Sequence, residues 1–225
     1  MKKYSIAIDG PGGAGKSSLS KKLASELKII YVDTGAIYRT LGLYCVNNGI
    51  DCKDEKNIQS ILPEVSIEIK YDSGIQKMIL NGSDVSDKIR TPEISIAASD
   101  VSSLPSVRAF LLDMQRKFAM HHSVVLDGRD IGTVVLPDAD CKIFLTASAE
   151  VRAERRLKEL REKGINQSFE NVLKEIEYRD YQDSHRDVAP LMQAADAVLI
   201  DTTNLSFEES YEKLLEVVNE KIDLC

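Results

Sequence analysis

Tryptophan is missing from this 225-residue chain, and histidine occurs three times, proline six times and cysteine four times. With His121, His122 and His185 as its whole histidine complement, the chain has few groups suited to proton transfer near neutral pH. His121 and His122 end a helical pattern and read as capping or surface residues. Cys45, Cys52, Cys141 and Cys225 have neither C-x-x-C spacing nor the density of a disulfide framework, so reduced thiols in a cytoplasmic setting are expected. No run approaches the roughly 20 apolar residues of a membrane span. The first apolar stretch ends at Asp9 and Gly10, too soon for a signal peptide. Positive charge is not in excess either: 29 Lys and Arg against 36 Asp and Glu leave a net charge of −7. That argues against a nucleic-acid partner, while a local arginine cluster could still hold a small anion.

What is present suits one folded domain. Hydrophobic residues make up 43% and charged residues 29% of the chain, enough to bury a core and stay dissolved. No internal repeat is visible. Short β-branched runs at Ser5–Asp9, Ile29–Val32, Ser123–Leu126, Cys141–Thr146 and Ala197–Ile200 alternate with segments of helical spacing, such as Leu19, Leu23, Ala24 and Leu27. This order predicts an α/β fold whose parallel sheet is covered by helices on both faces. Ser206 and Glu209 stand at capping-box spacing before the last helix. The middle differs: Val65–Tyr71 and Lys77–Leu80 alternate polar and apolar residues, Asn81-Gly82 marks a turn, and Thr91-Pro92 and Leu104-Pro105 open helices. Residues 48–104 therefore read as a small α+β insertion. The charged helix around Arg152–Lys163, ending at Gly164, reads as a surface element.

Gly10-Pro11-Gly12-Gly13-Ala14-Gly15-Lys16-Ser17 fits the phosphate-loop pattern G-x-x-x-x-G-K-[ST] between a strand and an amphipathic helix, the context that motif requires. Its glycines let backbone N–H groups approach phosphate oxygens at a helix N-terminus. Lys16 can reach the β- and γ-phosphates, and Ser17 or Ser18 can offer a hydroxyl to Mg²⁺. A chance Gly-Lys-Ser after a glycine-rich turn is the alternative. The pattern predicts nucleoside triphosphate binding, not a particular reaction. A GTPase would carry Asn-Lys-x-Asp near a late strand, whereas Asp201-Thr202-Thr203-Asn204 stands there.

Arginines and aspartates gather after strand ends: Asp33-Thr34-Gly35-Ala36-Ile37-Tyr38-Arg39, then Asp127-Gly128-Arg129-Asp130-Ile131-Gly132-Thr133, with Arg179, Asp183 and Arg186 on a later helix. Carboxyl ends of strands are where open α/β sheets bind ligands, and guanidiniums suit phosphoryl groups. Any one of these arginines could be a surface ion pair; their recurrence favours a site. Asp127 either orients magnesium or its waters, or anchors a turn.

With the phosphate loop, Asp33–Arg39, Leu80-Asn81-Gly82, Asp84-Val85, Ile89-Arg90, Asp127–Thr133 and Asp183-x-x-Arg186-x-x-x-Pro190-Leu191, the chain resembles the bacterial cytidylate kinase family from Tyr4 to about Asn204. The resemblance implies ATP-dependent phosphorylation of CMP or dCMP with Mg²⁺, a monophosphate-binding insertion over about 48–104, and a lid over about 152–166. It implies catalytic roles for Lys16, Arg129, Arg186 and Arg156. Arg39, Arg129 and Arg186 would hold the acceptor phosphate, with Thr34 beside it. Ser99, Arg108 and Asp130 would contact the base, and Arg179 and Asp183 the ribose. Gly15-Lys16-Ser17-Ser18 departs from the family's Gly-Lys-Gly-Thr or Gly-Lys-Ser-Thr, leaving open which serine serves the metal. Asp130 could instead only fix Arg129. A monomer is expected. Rival readings are a P-loop kinase for UMP, AMP or shikimate, and a non-catalytic ATP-binding regulator.

Overall fold

The structure, a computed structural model, describes residues 3–222; Met1, Lys2 and Cys225 lie outside the described residues. Five β-branched segments form one parallel sheet: β1 (Ser5–Asp9), β2 (Ile30–Asp33), β6 (Val124–Gly128), β7 (Cys141–Thr146) and β8 (Val198–Asp201), in the order β2-β6-β1-β7-β8. Ile6, Ala7 and Ile8 of β1, and Val124, Val125 and Leu126 of β6, are buried. That all-round burial explains why these strands read as continuous apolar runs. On one face α1 (Lys16–Leu27) and α8 (Phe207–Lys221) lay Leu19, Leu23, Leu214 and Val218 against the sheet. The Ser206–Glu209 capping box forms as the spacing required. On the other face Leu112 and Phe118 of α5 (Pro105–His121) pack against Val32, Leu126 and Ile131.

The segment after α2 (Thr34–Asn47) holds α3 (Glu55–Ile61), a three-stranded antiparallel sheet of β3 (Ile67–Asp72), β4 (Ile75–Leu80) and β5 (Ser83–Asp84), and α4 (Pro92–Ser102). Asn81 and Gly82 turn the chain at φ 47° and 82°, as a tight two-residue hairpin demands. The segment has no core of its own. Its Ile58, Met78, Ile89 and Val101 share one cluster with Ile37 and Leu41 of α2 and Val107 and Leu111 of α5. A Cβ at Gly42 would stand 3.1 Å from the Ala98 backbone nitrogen, so α2 and α4 pack almost backbone to backbone there.

α6 (Ala149–Glu162) departs from a plain surface helix. Arg152, Ala153, Leu157 and Leu160 are buried, three of them against Val172 and Ile176 of α7 (Phe169–His185). The charge count along α6 hid a narrow apolar stripe at i, i+4, i+7 spacing. On α5, Val107 and Leu111 are buried while Met114 and Phe118 are half-buried; Arg108 and Gln115 are buried in addition. Cys141 lies on β7 inside the core, and Cys45 is buried near half-buried Cys52. Among the described residues, no helix is long and apolar enough to cross a membrane.

Candidate active site

The carboxyl ends of β1, β2 and β6 open onto a single cleft of about 800 Å³. Its floor is the loop from β1 to α1. Gly10, at φ 145°, lies so close to the Leu145 carbonyl that a Cβ would come within 1.9 Å of that oxygen. Only glycine fits there. Lys16 folds back over the loop, its Nζ donating to the Gly10 and Pro11 carbonyls at 2.7 Å each. Burial, and then the nearby Arg129 guanidinium, push the Lys16 ammonium well below its ordinary pKa. An anion bound in the loop would relieve both effects.

The two serines after Lys16 part company. Ser17 Oγ donates to Asp127 Oδ2 at 2.6 Å, and Tyr31 Oη donates to Asp127 Oδ1 at 3.1 Å. Ser18 is exposed and also lines the cleft, without a hydrogen bond to Asp127. Burial, followed by the charge of Asp33, pushes the Asp127 carboxyl up to about 6. One hydroxyl and one carboxylate, both hard oxygen donors, fit Mg²⁺, which keeps waters and takes phosphate oxygens for its remaining positions. No group of three or more His, Cys, Asp or Glu side chains able to hold a metal occurs among the described residues.

Asp9 is a buried residue of the site's framework that the sequence did not single out. Its carboxylate accepts from the backbone N–H of Ile131 and of Gly132, both at 2.7 Å. From the opposite side Arg116 donates to the carbonyls of Val135 and Val134 at 3.0 and 2.9 Å. The turn Ile131–Val135, which directly follows Arg129 and Asp130, is therefore held at both ends. No pattern along the chain joins position 9 to position 131; β1–β6 pairing does. Burial lifts the Asp9 carboxyl to about 6, against the lowering effect of the two amides. A carboxyl whose folded pKa exceeds its unfolded value favours the fold below that unfolded value, and this contribution is lost as pH rises through about 6. Relative to Asp9→Asn, the wild type should lose about 2 kcal/mol of stability between pH 4 and pH 6.5, by the conversion of about 1.4 kcal/mol per unit. Urea melts of both proteins across that range check this; parallel curves would refute it.

The remaining polar residues form two groups. At the mouth of the phosphate loop, Arg129 and Arg179 both stand within 3.5 Å of where a Cβ of Gly12 would sit. Arg129 Nε donates to Asp183 Oδ2 at 2.7 Å. Arg179 Nε is buried without a partner, and burial, then Arg129, bring the group down to about 10. Deeper, Asp130 contacts Arg108 directly and lies 3.6 Å from Arg186 Nη2, which makes no hydrogen bond. Burial raises the Asp130 carboxyl, an effect that Arg108 and then Arg186 partly offset. Ser99 Oγ donates to Asp183 Oδ1 at 3.4 Å, and Thr34 Oγ1 to the Asp127 carbonyl at 2.7 Å. Asp130 thus pairs with Arg108 and Arg186, and it is Asp183 that holds Arg129.

On α6 the roles are distributed unexpectedly. Arg156 stands at the cleft edge, paired with Glu159 at 3.1 Å. Arg152 is buried, clamps Asp180 through both guanidinium nitrogens and donates to the Gly12 carbonyl at 3.1 Å. Arg155 donates to the Thr202 hydroxyl and carbonyl at 3.1 and 2.8 Å, bracing the loop after β8. His185 stays outside, exposed and stacked on the Tyr181 ring at 4.2 Å.

A phosphate loop with its lysine and metal-side carboxylate, opening onto an arginine-lined pocket in the same cleft, defines a P-loop kinase. The comparisons narrow this class. The family model described as cytidylate kinase matches residues 6–220. The cytidylate kinase of Thermosipho melanesiensis is 53% identical over 97% of this chain and 98% of its own length, and that of Caldicellulosiruptor bescii is 52% identical over 96% of each. The chain belongs to the cytidylate kinase family. A solved protein from Eubacterium ventriosum, described as uncharacterized, shares the fold at a TM-score of 0.53 and 13% identity, over 96% of this chain and 99% of that one.

Proposed function

We propose that the protein transfers the γ-phosphoryl group of ATP to CMP or dCMP, and that the two ends of its cleft divide the work. The observation that carries this reading is the single cleft in which Lys16 and Ser17 face Arg129, Arg179, Arg108, Arg186, Asp130 and Asp183. ATP would lay its phosphates on Gly10–Gly15 and Lys16. Mg²⁺ held by Ser17, with Asp127 beside it, would neutralise charge on the β- and γ-oxygens. Arg39, Arg129 and Arg186 would hold the acceptor phosphate, with Thr34 near it; Ser99, Arg108 and Asp130 would meet the base, and Arg179 and Asp183 the ribose. Residues 48–104 would form the acceptor-binding insertion and residues 152–166 the lid, from which Arg156 would reach the transferring group. A phosphate monoester is largely ionised near neutral pH, so its oxygen attacks without a general base. Positioning and electrostatics then supply the catalysis. A cytoplasmic monomer that binds neither nucleic acid nor membrane accords with the acidic charge balance.

A coupled assay of ADP release with a panel of nucleoside and deoxynucleoside monophosphates tests this. CMP and dCMP should give the highest kcat/KM, and ADP should form only when an acceptor is present. A higher value for AMP or UMP, or acceptor-independent ADP release, would sink the reading. The serine assignment has its own check. Ser17→Ala should raise the Mg²⁺ concentration for half-maximal rate by about tenfold, the cost of one lost charge-assisted contact, while Ser18→Ala should leave it within twofold. The opposite ranking would reassign the hydroxyl.

A further inference from the structure

β2 is an edge strand of the parallel sheet, so its outward backbone groups need partners from elsewhere. The hairpin of β3 and β4 supplies them with side chains. Gln76, on β4, accepts from the Asp33 N–H through Oε1 at 2.7 Å and donates to the Asp33 carbonyl through Nε2 at 3.2 Å. Tyr71, opposite Gln76 on β3, donates its hydroxyl to the Tyr31 carbonyl at 2.9 Å. One side-chain amide thus does for residue 33 what a neighbouring strand would do. Glutamine alone among the common side chains of this length offers both an acceptor and a donor.

The residue so fixed is at the centre of a charge cluster. The Asp33 carboxylate caps α2 by accepting from the Ala36 N–H at 2.9 Å, and it holds Arg39 Nη2 at 2.8 Å and Arg90 Nη2 at 3.6 Å. Burial alone would raise this carboxyl, but Arg39, Arg90, the Ala36 N–H and Lys21 together bring it below its ordinary value. Asp33 itself is 5% exposed, while both guanidiniums face the cleft and Arg39 Nε has no partner. Arg90 reaches this point from the insertion and Arg39 from α2.

We propose that Gln76 is a positioning residue for the acceptor phosphate: by pinning the backbone of Asp33 it sets the carboxylate that aims Arg39 and Arg90 into the cleft. The proposal rests on the acceptor being a nucleoside monophosphate. Because the two arginines would meet the phosphate and not the nucleoside, the effect of losing Gln76 should depend on whether the ligand carries a phosphate. Gln76→Leu keeps a branched side chain, one atom shorter, and removes both hydrogen bonds. Its Kd for CMP should rise about tenfold, the loss expected for two hydrogen bonds to one anchor. Its Kd for cytidine and its KM for ATP should change less than twofold. Gln76→Glu, which keeps the acceptor facing the Asp33 N–H, should fall between wild type and Gln76→Leu, and it decides the matter if the leucine variant does not fold.

Equal weakening of CMP and cytidine in the deciding variant, or no weakening of either, would overturn the role, since it would make Gln76 a general prop of the hairpin. A wild type that failed to bind CMP while binding another monophosphate would instead tell against the choice of acceptor. The same comparison would then be run with that monophosphate and its nucleoside.

Discussion

Lys16→Ala should lower turnover on the order of 10²–10³-fold, the usual cost of removing one preorganised charge from a transition state. The ammonium is buried against two loop carbonyls, to which it makes its only hydrogen bonds among the described residues. In that setting its charge is disfavoured by burial and by Arg129. A triphosphate in the loop would supply the anion that both effects lack, and Lys16 would stay within reach of the β- and γ-oxygens as negative charge shifts toward the departing ADP. The loss should therefore fall on kcat more than on the KM for CMP. Folding should be little affected, because the ammonium's own burial is costly and the two carbonyls can take water in its place. Steady-state kinetics with a thermal melt separates the cases. A variant that melts normally and turns over within a few-fold of wild type would remove Lys16 from the mechanism.

Much of the fold was legible because its signals are local. β1 and β7 occupy the very residues whose apolar runs announced them, and Thr91, Ser206 and Glu209 cap the helices their spacing implied. Strand edges moved by a residue or two where a neighbour decided them. β2 runs on to Asp33 because that residue continues the ladder with Asp127. β4 begins early, at Ile75, because the turn at Ser73 and Gly74 extends its pairing with β3. The site was legible as a set of residue types at strand ends, but its pairings were not. Asp9 reaches Ile131, Arg152 reaches Gly12, and Gln76 reaches Asp33. Each of these contacts joins segments that only the sheet order or helix packing brings together. The charge run along α6 concealed Arg152 for the same reason: which arginine of several is buried depends on where α7 lies.

Asp130→Asn should lower kcat/KM for CMP on the order of 10²-fold and that for UMP by less than tenfold, because a site built around one polar group penalises its mismatch strongly. Cytosine presents an amino donor at the position where uracil presents a carbonyl, and a carboxylate accepts from the first and repels the second. Asp130 is suited to that task. It is buried at 4% exposure and faces Arg108 and Arg186, while Arg129 is held by Asp183. The asparagine amide can donate to the uracil carbonyl, so UMP should recover part of what the lost charge removes. A scaffold role predicts something else. If Asp130 served only to anchor Arg108 and Arg186, its loss would loosen two guanidiniums beneath any base, and CMP and UMP would suffer alike. Measuring kcat/KM for both acceptors on this one variant, with Arg108→Lys as a check on how far a loosened guanidinium matters, distinguishes them. An equal loss for the two bases would move base selection from Asp130 to Ser99 and Arg108.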